Sequence, residues 1–124
     1  MIYLDTHVVV WLYAGRTDLL SPLAVDRIEA EDLFISPMVQ LELEYLREIE
    51  RLTVGSALII ESLSQRIGLA LCDLPFAAVV VESIQQSWTR DPFDRLITAQ
   101  AIARNARLLT KDLHIRDHCN LAVW

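Results

Sequence analysis

All four prolines of the chain stand where a helix is expected to begin, and this punctuation constrains the fold more than any other feature. Pro22, Pro37 and Pro92 each follow a residue that can cap a helix, and Pro75 lies two residues after Asp73. Proline suits the first helical turn because its missing N–H would have no intrahelical partner there. The prolines therefore predict four helix starts spread along 124 residues.

Short apolar runs alternate with helix-length segments, which is the pattern of an α/β domain with a mainly parallel sheet. The runs predict about five short strands, at residues 2–4, 33–35, 69–72, 108–110 and 121–123. The helical segments are roughly residues 6–14, 22–30, 37–52, 56–67, 75–87 and 92–105. No repeat or linker divides the chain, so we predict a single domain over residues 1–124.

Composition excludes several classes of protein. A hydrophobic fraction of 53% with only three glycines excludes a disordered chain, and a net charge of −6 argues against a protein that coats nucleic acid. Cys72 and Cys119 are interpreted as buried free thiols of a reducing compartment. No apolar run is long enough to span a membrane, and the first residues lack a signal peptide, so we expect a cytoplasmic protein.

Two acids follow predicted strands directly. Asp5 ends the first apolar run and Asp112 comes just after the fourth. The carboxyl ends of parallel strands share one edge of the sheet, where ligands usually bind, so both acids are predicted there. Taken alone, each is equally well explained as a helix cap or a turn residue.

Glu42 is predicted to face inward from the helix that begins at Pro37. It falls within an apolar stripe with three- and four-residue steps, formed by Met38, Leu41, Tyr45, Ile49 and Leu52. Glu44 falls outside the stripe, on a face that we interpret as solvated. A carboxylate facing inward needs a metal, an arginine or another cation, and an arginine-paired structural role remains open.

A fourth acidic segment opens the helix at Pro92. Asp91 is predicted to cap this helix, whereas Asp94 shares a face with Ile97 and Ala101, which should pack inward. Acids from four separate segments are thus expected at one edge of the sheet, where they would repel one another without a cation. A set of oxygen ligands suits Mg²⁺ or Mn²⁺ better than zinc.

The sequence also resembles the PIN domain, in particular the VapC-type ribonuclease toxins of type II toxin–antitoxin systems. The resemblance spans the whole chain and rests on Asp5-Thr6-His7, Ser36 with Glu42, Asp91-Pro92-Phe93-Asp94-Arg95 with the continuation to Ala101, and Leu109-Thr110-Lys111-Asp112. It implies a PIN-like α/β/α sandwich whose acids hold one or two Mg²⁺ or Mn²⁺ ions and cleave RNA. The positions that match the family's catalytic set are Asp5, Glu42, Asp94, Asp112 and Thr110.

One of these assignments departs from the common pattern. Many members carry the fourth acid a few residues later, where this chain has Ile115, so Asp112 is taken as the fourth metal ligand. Thr110 matches the family's hydroxyl beside that acid and is expected to support a metal-bound water. We therefore predict an endoribonuclease that hydrolyses phosphodiesters with a metal-activated water, leaving a 5′ phosphate and a 3′ hydroxyl.

Two other functions remain open at this point. A phospho-receiver signalling domain shares the length, the acidity and the alternating pattern, and it would use Asp73 as its phosphate acceptor. A non-catalytic interaction domain that retains the PIN fold is the second alternative.

The resemblance further implies a cognate VapB-like antitoxin, and a homodimer is expected. We place the antitoxin in an apolar groove between two helices, formed by Leu23, Ala24, Ile28, Leu43 and Leu46. An antitoxin arginine is expected to reach Glu42 or Asp94 from this groove. The alternative is that the groove residues belong to the core or to a homodimer face.

The remaining functional-looking side chains receive mainly structural interpretations. The three histidines lack partners at a zinc-like spacing, and the three tryptophans are interpreted as core or interface anchors rather than platforms for nucleobases. Arg90 and Arg95 flank Asp94, and each is expected either to contact phosphate or to pair with an acid of the site.

Overall fold

Five parallel strands from separate parts of the chain form the central sheet of the computed structural model, which describes residues 1–124. The strands are β1 (Ile2–Leu4), β2 (Leu33–Ile35), β3 (Ala70–Leu71), β4 (Arg107–Leu109) and β5 (Ala122–Val123). The helices are α1 (Thr6–Tyr13), α2 (Pro22–Ala30), α3 (Pro37–Glu48), α4 (Ser56–Ile67), α5 (Phe76–Ile84), α6 (Pro92–Ala103) and α7 (Leu113–His118). A short 3₁₀ turn, Thr17–Leu19, precedes α2. Every predicted strand and helix is present, so the predicted fold class is confirmed.

The strands lie in the order β3-β2-β1-β4-β5. The chain therefore starts at the centre, moves outward through β2 to β3, and returns to the other side of β1. Because crossovers between parallel strands are right-handed, the outward and returning connections place helices on opposite faces of the sheet. The order of strands reverses between β1 and β4, and ligands bind at such a switch point in parallel sheets.

The proline and capping pattern forms as predicted. The hydroxyls of Ser21 and Ser36 accept hydrogen bonds from the backbone N–H groups of Ala24 and Met38, at 3.0 and 3.1 Å. Asp91 caps α6 in the same way, accepting from the Phe93 N–H at 2.8 Å. Helix starts are readable from sequence because these bonds join residues within one turn.

Helix α7 was not predicted from the sequence. It has six residues, and within it Ile115 alone is buried. Apolar periodicity cannot appear in so short a segment, so the available signal was the cap, Asp112, which precedes it.

The apolar stripe predicted for α3 is wrong in phase. Leu41, Tyr45 and Ile49 are 55%, 48% and 45% exposed, whereas Val39 and Leu43 are completely buried. The sequence offered two overlapping apolar periodicities on one helix, and only packing against the sheet selects between them.

The predicted antitoxin groove between α2 and α3 is wrong for the same reason. Ala24 and Leu43 are both fully enclosed in the core, so neither can contact a partner. Leu46 is half-buried.

Cys72 and Cys119 are buried free thiols, as predicted. No helix is both long and apolar enough to cross a membrane.

Candidate active site

The four acids predicted as ligands line a single cavity of about 420 Å³. Asp5 follows β1 and Asp112 comes shortly after β4, so both stand beside the switch point of the sheet. Glu42 enters from α3 and Asp94 from the first turn of α6. Four segments far apart in the sequence thus bring carboxylates to one opening.

Asp5 is the most rigidly held of the four acids. The residue is 4% exposed, and both of its side-chain oxygens accept hydrogen bonds. Oδ1 accepts from the Thr6 backbone N–H at 2.8 Å, which caps α1, and Oδ2 accepts from the Thr110 hydroxyl at 2.7 Å. Asp5 is therefore both a helix cap and a fixed carboxylate at the cavity wall.

Thr110 is completely buried and forms hydrogen bonds with Asp5 and Asp112. Its hydroxyl donates to Asp5 and accepts from the Asp112 backbone N–H at 3.1 Å. Because the single hydroxyl proton is used on Asp5, Thr110 positions two acids of the site. This geometry makes Thr110 a positioning residue for Asp5 and Asp112.

Glu42 reaches the cavity from the inward face of α3, which it shares with Val39 and Leu43. Its carboxylate accepts a hydrogen bond from the Thr6 hydroxyl. Burial raises the pKa of Glu42, the Thr6 hydrogen bond opposes this, and the negative charge of Asp5 adds to the rise. The inward orientation was therefore predicted correctly, although from the wrong stripe.

Asp94 stands out because no donor bonds its carboxylate. Its backbone N–H is used in the cap, donating to Asp91 at 3.1 Å, while its side chain faces the other acids. Burial and then the charges of Asp91, Asp5, Asp112 and Glu42 raise its pKa from 3.8 to about 7. A carboxylate in such surroundings is stabilised by a bound cation or a proton.

Asp112 combines the two roles considered from the sequence. Its Oδ1 caps α7 by accepting from the Ile115 N–H at 3.0 Å, and the residue lines the cavity. Many family members carry the fourth acid at the position that is Ile115 in this chain. Here the Ile115 N–H donates to the Asp112 cap, and the Ile115 side chain is buried.

Two side chains at the cavity were given no active-site role from the sequence. His7 lines the wall, where its Nε2 accepts from the Lys111 N–H at 2.9 Å and its Nδ1 lies 3.7 Å from Asp5 Oδ2. Burial lowers the pKa of His7, and this outweighs the effect of Asp5. Arg51 also lines the cavity, from the loop after α3. Nothing in the local sequence of Arg51 signals this placement.

The two arginines that flank Asp94 form hydrogen bonds with the backbone. The Arg95 guanidinium donates to the backbone carbonyls of Ser83, at 2.8 Å, and of Ile84 at the end of α5. Arg90 donates to the Ser87 carbonyl at 2.7 Å. Both arginines therefore donate to backbone carbonyls, and neither forms the ion pair with an acid of the site that was one of the two expectations.

The donor set fits a hard divalent cation. The four carboxylates supply oxygen ligands alone, and the Asp94 carboxylate has no competing donor. No three His, Cys, Asp or Glu side chains converge tightly enough to form a complete metal cage. Mg²⁺ does not need one, because it usually keeps several waters and binds through one or two carboxylates.

The raised pKa of Asp94 predicts how the stability of the metal-free protein depends on pH. Asp94 loses its proton near pH 3.8 in the unfolded chain and near 7 in the folded chain. Because the folded chain binds this proton more tightly, the free energy of unfolding falls as pH rises between these values. Asp94→Asn should therefore match the wild type at pH 4 and exceed it by about 2 kcal/mol at pH 8, a value reduced for partial exposure. Urea denaturation in EDTA measures the difference, and an equal offset at both pH values would contradict it.

The phospho-receiver alternative does not survive the geometry. Asp73, its required phosphate acceptor, is 88% exposed and pairs with Arg104 at 2.6 Å. It is not among the residues that line the acidic cavity.

Comparisons with known proteins agree with this fold. A family model described as the PIN domain matches residues 2–121. Ribonuclease VapC22 from Mycobacterium tuberculosis is 32% identical over 129 residues, which cover 99% of this chain and 98% of that protein.

Two solved structures share the architecture. VapBC2 from Rickettsia felis, bound to a DNA fragment from its promoter, has a TM-score of 0.70 at 22% identity over 100% of this chain and 98% of that chain. VapBC-1 from nontypeable Haemophilus influenzae has a TM-score of 0.53 at 22% identity over 94% of each chain. With a family model that spans nearly the whole chain and a relative of matching length, the chain belongs to the PIN domain family.

Proposed function

We propose that this protein is a metal-dependent endoribonuclease of the VapC type, held inactive by a VapB-like antitoxin. The observation that carries the proposal is the Asp94 carboxylate, which has no donor of its own and is surrounded by four other acids at an open cavity. The activity is supported by the name of its full-length relative, a VapC ribonuclease.

The residues divide the work of such a site. Asp5, Glu42, Asp94 and Asp112 would hold the cation, Mg²⁺ or Mn²⁺ as one or two ions. When bound, the cation supplies the positive charge that activates water and stabilises the leaving oxygen. Thr110 fixes Asp5 at 2.7 Å, so that this acid keeps its place when its neighbours move.

The cavity walls supply what the acids cannot. Arg51 brings a positive charge to a cavity lined by four acids, and it is suited to hold a phosphate oxygen. The Thr6 hydroxyl orients Glu42. Hydrolysis by water at this site leaves a 5′ phosphate and a 3′ hydroxyl, without a covalent intermediate.

A matched pair of variants on α3 tests the assignment. Glu42→Gln removes a cavity carboxylate, and we expect RNA cleavage to fall about a hundredfold or more. Glu44→Gln makes the same change two residues away, where the side chain accepts from the Ser56 N–H at 2.6 Å, and it should keep full activity with a modest loss of stability. Cleavage of a labelled RNA in Mg²⁺ measures both variants. If Glu44 proves essential and Glu42 does not, the assignment of α3 is wrong.

The same cleavage assay tests the remaining alternative function. A non-catalytic PIN-fold interaction domain would cleave no RNA with any divalent cation, and Glu42→Gln would then change nothing.

The antitoxin is proposed to cover an exposed apolar stripe on α3, formed by Leu41, Tyr45 and Ile49. The stripe lies beside the cavity, since the Tyr45 ring lies 6.0 Å from that of Phe93, the neighbour of Asp94. An amphipathic partner helix seated there is close enough to direct an arginine at the acids.

Tyr45→Glu should weaken antitoxin binding about thirtyfold or more while the free protein remains folded, because it places a charge at the centre of the proposed contact. Leu23→Glu on α2 is the control, since Leu23 is also exposed and apolar but lies on the helix of the discarded groove. Titration of each variant with the antitoxin measures the effect. If only Leu23→Glu weakens binding, the partner sits on α2.

A homodimer is also proposed, through α5. Most residues of this helix are apolar, and it leaves Phe76, Val81 and Ile84 exposed. A second copy of the chain would cover them. Light scattering of the free protein would report its mass, and a monomer at micromolar concentration would contradict the proposal.

A further inference from the structure

We infer that Trp11 is a stacking platform for an unpaired nucleobase next to the phosphodiester that is cut. The inference rests on the proposed ribonuclease function and adds the residue that receives a base of the substrate. It assigns to Trp11 a role other than the structural anchor that the sequence favoured.

The position of Trp11 connects it to the acids. Its indole lines the same cavity as Asp5 and Asp94, and it is only partly buried. Trp11 lies six positions after Asp5 along α1, a rise of about 9 Å. A single nucleotide can bridge that distance, with its phosphate at the carboxylates and its base at the indole.

The indole has no parallel ring against either face. The two aromatic rings that contact it, those of His7 and Trp124, are inclined to it by 59° and 61°, with centroids 5.0 and 5.9 Å away. Trp88 offers a contrast, since the His118 ring stacks on it with an interplanar angle of 8° at 5.1 Å. Trp11 therefore has no stacked aromatic partner, and the group over its ring is the flexible Lys111 side chain, whereas Trp88 already has a stacked ring.

Charge makes a stacking contribution necessary. The protein carries a net charge of −6 and concentrates four acids in the cavity, so the general attraction that draws RNA to basic proteins is missing. The cations at this opening are Arg51 on the wall and Lys111, whose Nζ lies 5.9 Å from the Trp11 ring centroid. With so few phosphate contacts, base stacking has to supply a larger share of the binding.

The Lys111 side chain is able to make room for a base on Trp11. Lys111 is exposed on a flexible side chain, so it can move from the indole to the phosphate beside the stacked base. A base within a duplex already stacks on its neighbours and is not free to reach the platform.

An abasic substitution tests the contact on the protein as it exists. The cut site is first mapped on an RNA that the wild-type protein cleaves, and a short oligoribonucleotide spanning it is made with each flanking nucleotide in turn replaced by an abasic one. We expect one abasic position to lower kcat/KM about tenfold for the wild type. The same position should cost nothing for Trp11→Ala, because the platform is already absent.

Two further variants separate stacking from a structural role. Trp11→Phe keeps an aromatic face and should retain the sensitivity to the abasic position, whereas Trp88→Phe, outside the cavity, should behave as the wild type. The inference is overturned if no abasic position matters to the wild type, or if Trp11→Ala loses as much at that position as the wild type does. A wild-type protein that cuts RNA but ignores abasic positions overturns this inference alone. A wild-type protein that cuts no RNA overturns the proposed function itself.

Discussion

Asp94→Asn is expected to lower RNA cleavage by about a thousandfold or more while leaving the protein folded. The carboxylate has no hydrogen-bond donor, so replacing it with an amide breaks no contact of the fold. It does remove an anionic ligand from a site whose cation is worth several kcal/mol to the transition state. Initial rates on a labelled RNA in Mg²⁺, with circular dichroism as the check on folding, measure the effect.

The matched control is Asp117→Asn, the same change at an exposed acid of α7 that does not line the cavity. It should leave the rate unchanged. Asp5→Asn is a less informative variant, because both oxygens of Asp5 accept hydrogen bonds and an amide can replace only one acceptor. Wild-type cleavage by a folded Asp94→Asn protein would refute the assignment of the site.

Removal of divalent cations is expected to abolish cleavage completely. EDTA leaves the acids without a counter-charge, a state that already raises the pKa of Asp94 to about 7 in the metal-free protein. Mg²⁺ or Mn²⁺ should restore activity, whereas Ca²⁺ should bind and support little turnover because its looser coordination orients water poorly. Rates across a titration of each ion provide the measurement.

The cut ends give an independent check on the same prediction. Hydrolysis by water leaves a 5′ phosphate and a 3′ hydroxyl. Robust cleavage in EDTA with 2′,3′-cyclic phosphate ends would instead indicate attack by the RNA's own 2′ hydroxyl, a mechanism that needs no cation and gives the four acids no role.

The elements of the fold could be predicted because their signals are local. A capping residue followed by proline fixes a helix start within one turn, and short apolar runs mark the strands, although β3 at the edge of the sheet exposes both of its residues. Helix α7 escaped prediction because six residues carry no periodicity. The phase of α3 was predicted wrongly because Leu41 and Leu43 are equally apolar, and the sequence alone does not say which of them faces the sheet.

The candidate site also has parts that were predictable from local sequence and parts that were not. The sequence by itself placed Asp5 and Asp112 at strand ends and Asp94 in the first turn of a helix, and these positions predicted that the three would meet, because the edge of a parallel sheet collects the ends of its strands. Glu42 was expected to join them, but from an apolar stripe that packing did not select. Only the tertiary structure decided that Thr110 props Asp5, that Arg51 and Trp11 complete the wall, and that Arg95 turns away to the carbonyls of α5. The reason is physical. Caps and strand ends are set by neighbours in the chain, whereas the direction of a long side chain is set by the surface that packs against it.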